Sequence, residues 1–217
     1  MERPTVRSYQ LRGARMTKAQ KNAIDLHGSE FIVYPESAFK PNDLFLDKGE
    51  VIVEIGSGMG EATAAIAQSF PEKGFLAIEV HRPGIGSLIL RALQLEVKNL
   101  KMINEDCHLI LDLIEDGSVD TFHIFFPDPW PKTKHRKRRL INDEFVAILE
   151  RKLKRGGSLR IATDWLDYAK QISEVLNRNQ VLSGGKTERP EWRPLTKFET
   201  QGINKEHPVT DFLYVKS

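Results

Sequence analysis

Four carboxylates, Glu54, Glu79, Asp106 and Asp128, each fall at or just beyond the end of an apolar, strand-like segment of this 217-residue chain. A carboxylate so placed can accept hydrogen bonds from hydroxyls or amines, balance a cation, or move a proton. Asp128 has the most constrained setting. It stands in "FFPDPWPKTKHRKRR" (125–139), between Pro127 and Pro129 and just ahead of Trp130. Six Lys or Arg follow within residues 132–139. Each proline locks its own φ, and Pro129 also restricts Asp128 before it, so the carboxylate has a set direction. The basic run suits a polyanion. Trp130 offers an indole on which a base could stack, a contact worth about 1–3 kcal/mol.

The stretch "VEIGSGMG" (53–60) is a glycine-rich turn from a strand into a helix. Gly56 and Gly58 allow a tight turn and a close ligand approach, and the helix behind offers free N–H groups. Dinucleotide sites use G-x-G-x-x-G. Here the spacing is G-x-G-x-G, with Glu61 where the third glycine would lie. Glu54 beside the turn would repel a diphosphate. A cationic or zwitterionic ligand fits better, and S-adenosylmethionine carries an ammonium, a sulfonium and a ribose diol. Glu79, 19 residues after Gly60, is placed to accept the ribose hydroxyls. Asp106, after the next strand, is placed for the adenine amino group.

Positioning these groups requires a sheet. Strands are expected at 50–55, 74–80, 100–104, 119–128, 158–164 and 210–217. Helices are expected within 56–70, where the glycine turn leads into the first, at 83–97, 108–114 and 142–153, and from Trp165 to Asn177. Gly156-Gly157 reads as the close of the fourth of these, and Asp164 as a cap for the fifth. Near-continuous apolar strands alternating with helices mean α/β architecture: a doubly wound, Rossmann-like parallel sheet covered on both faces. Its ligand edge lies at the C-terminal ends of the strands, where the four carboxylates fall. Residues 1–45 read as a basic N-terminal extension with a short helix capped by Thr17, and residues 46–217 as the catalytic domain.

The net charge is only +2, yet residues 1–21 hold +5 and residues 132–139 hold +6, leaving −9 for the rest. Two basic islands on an acidic body point to a localised polyanion site. No apolar run approaches the roughly 20 residues needed to span a bilayer. The N-terminus lacks a secretory apolar core, and Cys107 is the lone cysteine, so a cytoplasmic protein without disulfides or a multi-cysteine zinc site is expected.

These motifs resemble the bacterial tRNA (guanine-N7-)-methyltransferases of the TrmB type. The resemblance rests on "RSYQLRGARMT", "EIGSGMG", "AIEVHRPGIG", "FFPDPWPKTKHRKRRL", "ATDWLDYA" and "TKFETQG", and runs from about residue 7 to the end. It implies a class I, S-adenosylmethionine-dependent fold, mostly parallel with an antiparallel strand near the C-terminus. It implies methylation of N7 of guanine 46 in the tRNA variable loop, without a metal, by a monomer or homodimer. Glu54, Gly56, Gly58, Glu79, Asp106 and Asp128 would then contact the cofactor, with Asp128 also catalytic. Lys132, Asp164, Thr196, Lys197, Phe198 and Glu199 would contact substrate. Lys134, His135, Arg136, Lys137, Arg138 and Arg139 would contact RNA. Gln201 stands where relatives of this subtype often carry Arg.

Two rival readings stay open at this level. Amino-group methyltransferases acting on adenine or cytosine use a D/N/S-P-P-aromatic turn, which "DPW" imitates in part. A non-catalytic RNA-binding module on the same body is the other; the intact glycine turn and the four carboxylates speak against it.

Overall fold

The computed structural model describes residues 8–9, 15–195 and 208–217. Its centre is a seven-stranded sheet in the order β3-β2-β1-β4-β5-β7-β6. The strands are β1 (Val51–Ile55), β2 (Gly74–Ile78), β3 (Leu100–Ile103), β4 (Val119–Phe125), β5 (Leu153–Thr163), β6 (Leu182–Thr187) and β7 (Thr210–Lys216). The first five run parallel, and β7 is antiparallel to both β5 and β6. Every residue of β1 and β2 is buried, as expected of central strands covered on both faces. Strand order reverses between β1 and β4, and that switch point opens the ligand crevice at the strands' C-terminal edge.

Among the described residues six helices cover the sheet: α1 (Lys18–Phe31), α2 (Glu61–Ser69), α3 (Arg82–Gln94), α4 (Cys107–Leu113), α5 (Asp143–Lys152) and α6 (Leu166–Arg178). One core cluster joins Ile110, Phe145, Leu149, Tyr168 and Ile172 of α4, α5 and α6 to the sheet. The other joins Ala23 of α1, Ala64 of α2 and Ile85 and Leu88 of α3 to the opposite face. The helices therefore divide three to a face, which is the doubly wound arrangement.

Thr17 caps α1 in a capping box: its hydroxyl accepts from the Gln20 amide at 3.2 Å, and the Gln20 side chain accepts from the Thr17 amide at 2.9 Å. Beyond α1 the chain runs along the outer edge of β3, where the Val33 amide donates to the Met102 carbonyl at 2.9 Å.

Three local expectations are corrected. Gly156 and Gly157 lie within β5, and α5 ends earlier, at Lys152. Val119 pairs with Leu153 but Thr121 pairs with Ser158, so four residues of β5 face one of β4. Gly156, at φ +77°, turns the chain inside that bulge. The second correction is β6, an additional edge strand that pairs antiparallel with β7, where a single C-terminal strand was expected. The third concerns Asp164. Helix α6 starts at Leu166 behind Trp165, with no side-chain cap, so Asp164 does not cap it.

Candidate active site

A cavity of about 400 Å³ opens at the switch point. Its wall includes Ile55, Gly56, Gly58 and Met59 after β1, Glu79 to His81 after β2, and Phe125 to Asp128 after β4. The volume is in the range of small-molecule sites. Ser8 and Tyr9 from near the N-terminus complete one side.

The turn after β1 is built around Gly58, which has a left-handed φ of +57°. Its amide donates to Glu79 Oε2 at 2.7 Å, and Glu79 Oε1 accepts from the His81 amide at 2.8 Å. Burial raises the Glu79 carboxyl, while these backbone bonds hold it down. Gly84 in the first turn of α3 was not singled out from sequence, yet a Cβ there would lie 2.2 Å from the Gly58 carbonyl oxygen. The close approach of α3 to the turn therefore requires glycine.

Glu54, inside β1 and 4% exposed, sits behind the turn and is not part of the cavity wall. Burial pushes its carboxyl up to about 7, and the Glu79 charge adds to the rise against the pull of the Thr63 hydroxyl. Asp106 caps α4, accepting from the His108 amide at 2.9 Å, with His108 Nδ1 3.0 Å away. His108, with a contribution from Tyr9, holds the Asp106 carboxyl below its usual range. Asp106 too lies off the wall, between Glu105 and Cys107, which line it. Of the four carboxylates, Glu79 and Asp128 face the cavity directly.

The segment that bears Asp128 is strained at both ends. Phe126 and Trp130, neither of them glycine, have φ of +54° and +43°. Such residues typically cost about 1–3 kcal/mol each and persist only where neighbours over-determine them. Trp130 is 4% exposed. Its indole Nε1 donates to the Ser8 carbonyl at 2.9 Å, and the Arg138 guanidinium lies 4.9 Å over its ring. That corrects the expectation of a base stacking on Trp130: the ring is already buried against the protein's own groups.

Beyond Trp130 a short 3-10 helix, Thr133–Arg138, has no buried residue: Lys134, Arg136 and Lys137 are exposed, and His135 and Arg138 are half-buried against Trp130. Lys132, just before it, is exposed. Arg139 departs from the RNA-contact reading. It is 2% exposed, and its guanidinium donates to the Pro129 carbonyl, Gln171 and Asp167 at 2.8, 2.8 and 2.6 Å. It anchors the Asp128 segment to α6 and has no face left for phosphate. Asp164 lies on the bend after β5, outside the cavity wall. Thr196, Lys197, Phe198, Glu199 and Gln201 lie outside the described residues.

A family model described as "Putative methyltransferase" matches residues 48–212. A tRNA (guanine-N(7)-)-methyltransferase of Nitrosomonas eutropha is 45% identical, covering 99% of this chain and 98% of that protein. The chain belongs to the tRNA (guanine-N(7)-)-methyltransferase family. A second member, from Shewanella frigidimarina, is 40% identical over 98% of this chain and 92% of its own. In fold, the chain is similar to an rRNA methylase from Streptococcus thermophilus: TM-score 0.55 at 14% identity, covering 94% of this chain and 99% of that one. That likeness extends to the Rossmann-like class I methyltransferase sheet.

S-adenosylmethionine is the methyl donor of the family, and the residues at the cavity fit it. A carboxylate, Glu79, faces a largely apolar chamber formed with Ile55, Met59, Ile78 and Phe125. Among the described residues, buried Ser57 Oγ and His81 Nε2 have no hydrogen-bond partner, which suits a turn beside a ligand. Among the described residues no helix is long and apolar enough to cross a membrane.

Proposed function

We propose that this protein transfers the methyl group of S-adenosylmethionine to N7 of guanine 46 in the variable loop of tRNA, forming 7-methylguanosine, in the cytoplasm. The observation that carries the reading is its relatedness, over nearly the full length of both chains, to proteins named for guanine-N7 methylation of tRNA.

The donor supplies a methyl group on a sulfonium, already activated for in-line transfer. N7 of guanine has an in-plane lone pair and no proton, so no general base is needed to expose it. The protein's task is alignment and exclusion of water. Asp128, directed by its two prolines and placed on the cavity wall, is the catalytic residue. It accepts hydrogen bonds from the N1–H and 2-amino edge of guanine, and its charge favours the purine cation that develops. Glu79 accepts from the ribose hydroxyls, Gly56 and Gly58 let the backbone approach, Asp106 takes the adenine amino group, and Glu54 balances positive charge from behind the turn. Lys132 and Asp164 contact the substrate nucleotide. Lys134, His135, Arg136, Lys137 and Arg138 grip phosphates so that the target base is presented to the cavity.

The test is to incubate the protein with unmodified tRNA and methyl-labelled S-adenosylmethionine, then digest the product to nucleosides. Label in 7-methylguanosine, absent when guanine 46 of the tRNA is replaced, is expected. Label in N6- or N4-methylated bases, or no label with tRNA still bound, overturns the reading.

A further inference from the structure

Behind the Asp128 segment lies a buried ion pair that the reaction chemistry does not call for. Arg193 is 1% and Asp211 6% exposed. The guanidinium donates to both carboxylate oxygens, Nε to Oδ1 at 3.2 Å and Nη2 to Oδ2 at 2.9 Å. A pair this deeply buried gains little stability over apolar side chains of the same size, because both charges lose their water. Its location is the informative feature.

Asp211 on β7 pairs with Ala162 on β5, and Ala162 pairs with Phe125 on β4. The Ala162 carbonyl also accepts from the Phe126 amide at 2.8 Å, immediately before the chain turns into Pro127-Asp128-Pro129. Arg193 reaches back across this row. Its guanidinium lies over the ring of Phe125 at 5.6 Å and that of Phe126 at 5.4 Å. Successive residues of an extended strand point to opposite faces. The left-handed φ of +54° at Phe126 breaks that alternation and brings both rings to one guanidinium. Trp192 stacks on His123 of β4, centroids 5.3 Å apart and planes within 12°, and so fixes the segment that carries Arg193.

We propose that Arg193, held by Asp211, is a positioning residue for Asp128: it keeps Phe126 in its left-handed conformation and thereby sets where the Pro127-Asp128-Pro129 turn enters the cavity. The catalytic consequence rests on the function proposed above; the structural one does not.

The test uses two variants of the full chain. The double variant Arg193→Met/Asp211→Leu removes both buried charges at similar volume. Arg193→Lys keeps the charge but loses the planar fork over the rings. Each is assayed for Tm, for the Kd of S-adenosylhomocysteine, for kcat at saturating tRNA, and for amide hydrogen exchange at Phe126 against Ile124. The expectation is a folded protein with unchanged cofactor Kd, faster exchange at Phe126 alone, and kcat lower by about 100-fold, the scale of a small misplacement of reacting groups. Wild-type kcat and wild-type Phe126 exchange in a folded variant would overturn the proposal. If the double variant does not fold, the Lys variant decides. If the wild-type protein transfers no methyl group to tRNA, the function proposal fails, and Phe126 exchange alone decides the positioning.

Discussion

The Gly58 amide donates to the Glu79 carboxylate at 2.7 Å, tying the turn after β1 to the end of β2. The second oxygen of that carboxylate takes the His81 amide at the start of α3, and Gly84 of the same helix approaches the Gly58 carbonyl too closely for any side chain. Three segments thus meet around one carboxylate. Glu79 shapes the cavity wall as well as lining it.

Glu79→Ala is expected to weaken S-adenosylmethionine binding by about 10- to 100-fold, since hydrogen bonds to a charged group are worth about 1.5–3 kcal/mol each. Glu79→Gln, which keeps one acceptor, should fall between. Titration calorimetry checks this, and an unaltered dissociation constant in Glu79→Ala would discard the role.

The buried Glu54 carboxyl makes binding and stability respond to pH in opposite directions. Its pKa is raised from 4.5 to about 7, so the folded protein retains a proton that the unfolded chain loses at lower pH. Stability contributed by this group therefore falls as pH rises from about 4.5 to 7. A cationic ligand favours the ionised form, so the affinity for S-adenosylmethionine should rise through pH 6 to 8, by at most about tenfold per unit. Glu54→Gln should flatten that dependence, and a slope identical to wild type would sink the assignment.

Asp128→Ala should lower kcat by about 100- to 1,000-fold, the loss typical of one preorganised electrostatic contact in a transition state. Tm and cofactor affinity should stay close to wild type, because Asp128 sits on the cavity wall and outside both core clusters. Near-normal turnover at saturating tRNA would remove it from the mechanism.

Within the basic run, surface and buried residues should separate cleanly. Lys134→Glu with Lys137→Glu, both exposed, should weaken tRNA binding and reduce the slope of log K against log salt by about 0.7–0.9 for each phosphate no longer neutralised. Arg139→Ala should leave that slope unchanged and lower stability by about 2–4 kcal/mol, since it removes three hydrogen bonds from a buried guanidinium. Filter binding across a salt series, together with thermal melts, distinguishes the two effects.

The parallel body of the fold was legible because its signals are local. Apolar runs such as "VIVEI" need no partner to be read as buried strands, and Thr17 ahead of a helical patch announces a helix start. Strand β6 was not legible. Its sequence "LSGGKT" has neither apolar alternation nor β-branched bulk, and at Gly184 any Cβ would lie 2.0 Å from the Leu213 carbonyl oxygen. Gly156-Gly157 misled for a related reason: a glycine pair after a helix reads as its end, whereas here it turns a bulge within β5. At the site, Glu79 and Asp128 were visible from their places at strand ends. The separation of Arg139 from its basic neighbours was not, because charge type says nothing about which guanidinium points inward. The Arg193–Asp211 pair joins residues 18 apart on different elements, a distance at which spacing carries no register.

The chain that follows α1 also guards the sheet against its own kind. By donating from Val33 to Met102, it interrupts the outer hydrogen-bonding edge of β3, which would otherwise be an open row of backbone groups on an apolar strand. Such a row is a template for strand addition by a neighbouring molecule. A protein shortened to begin after this segment would keep its catalytic edge in sequence but bare a sticky margin, and its first failure should be self-association in concentrated solution.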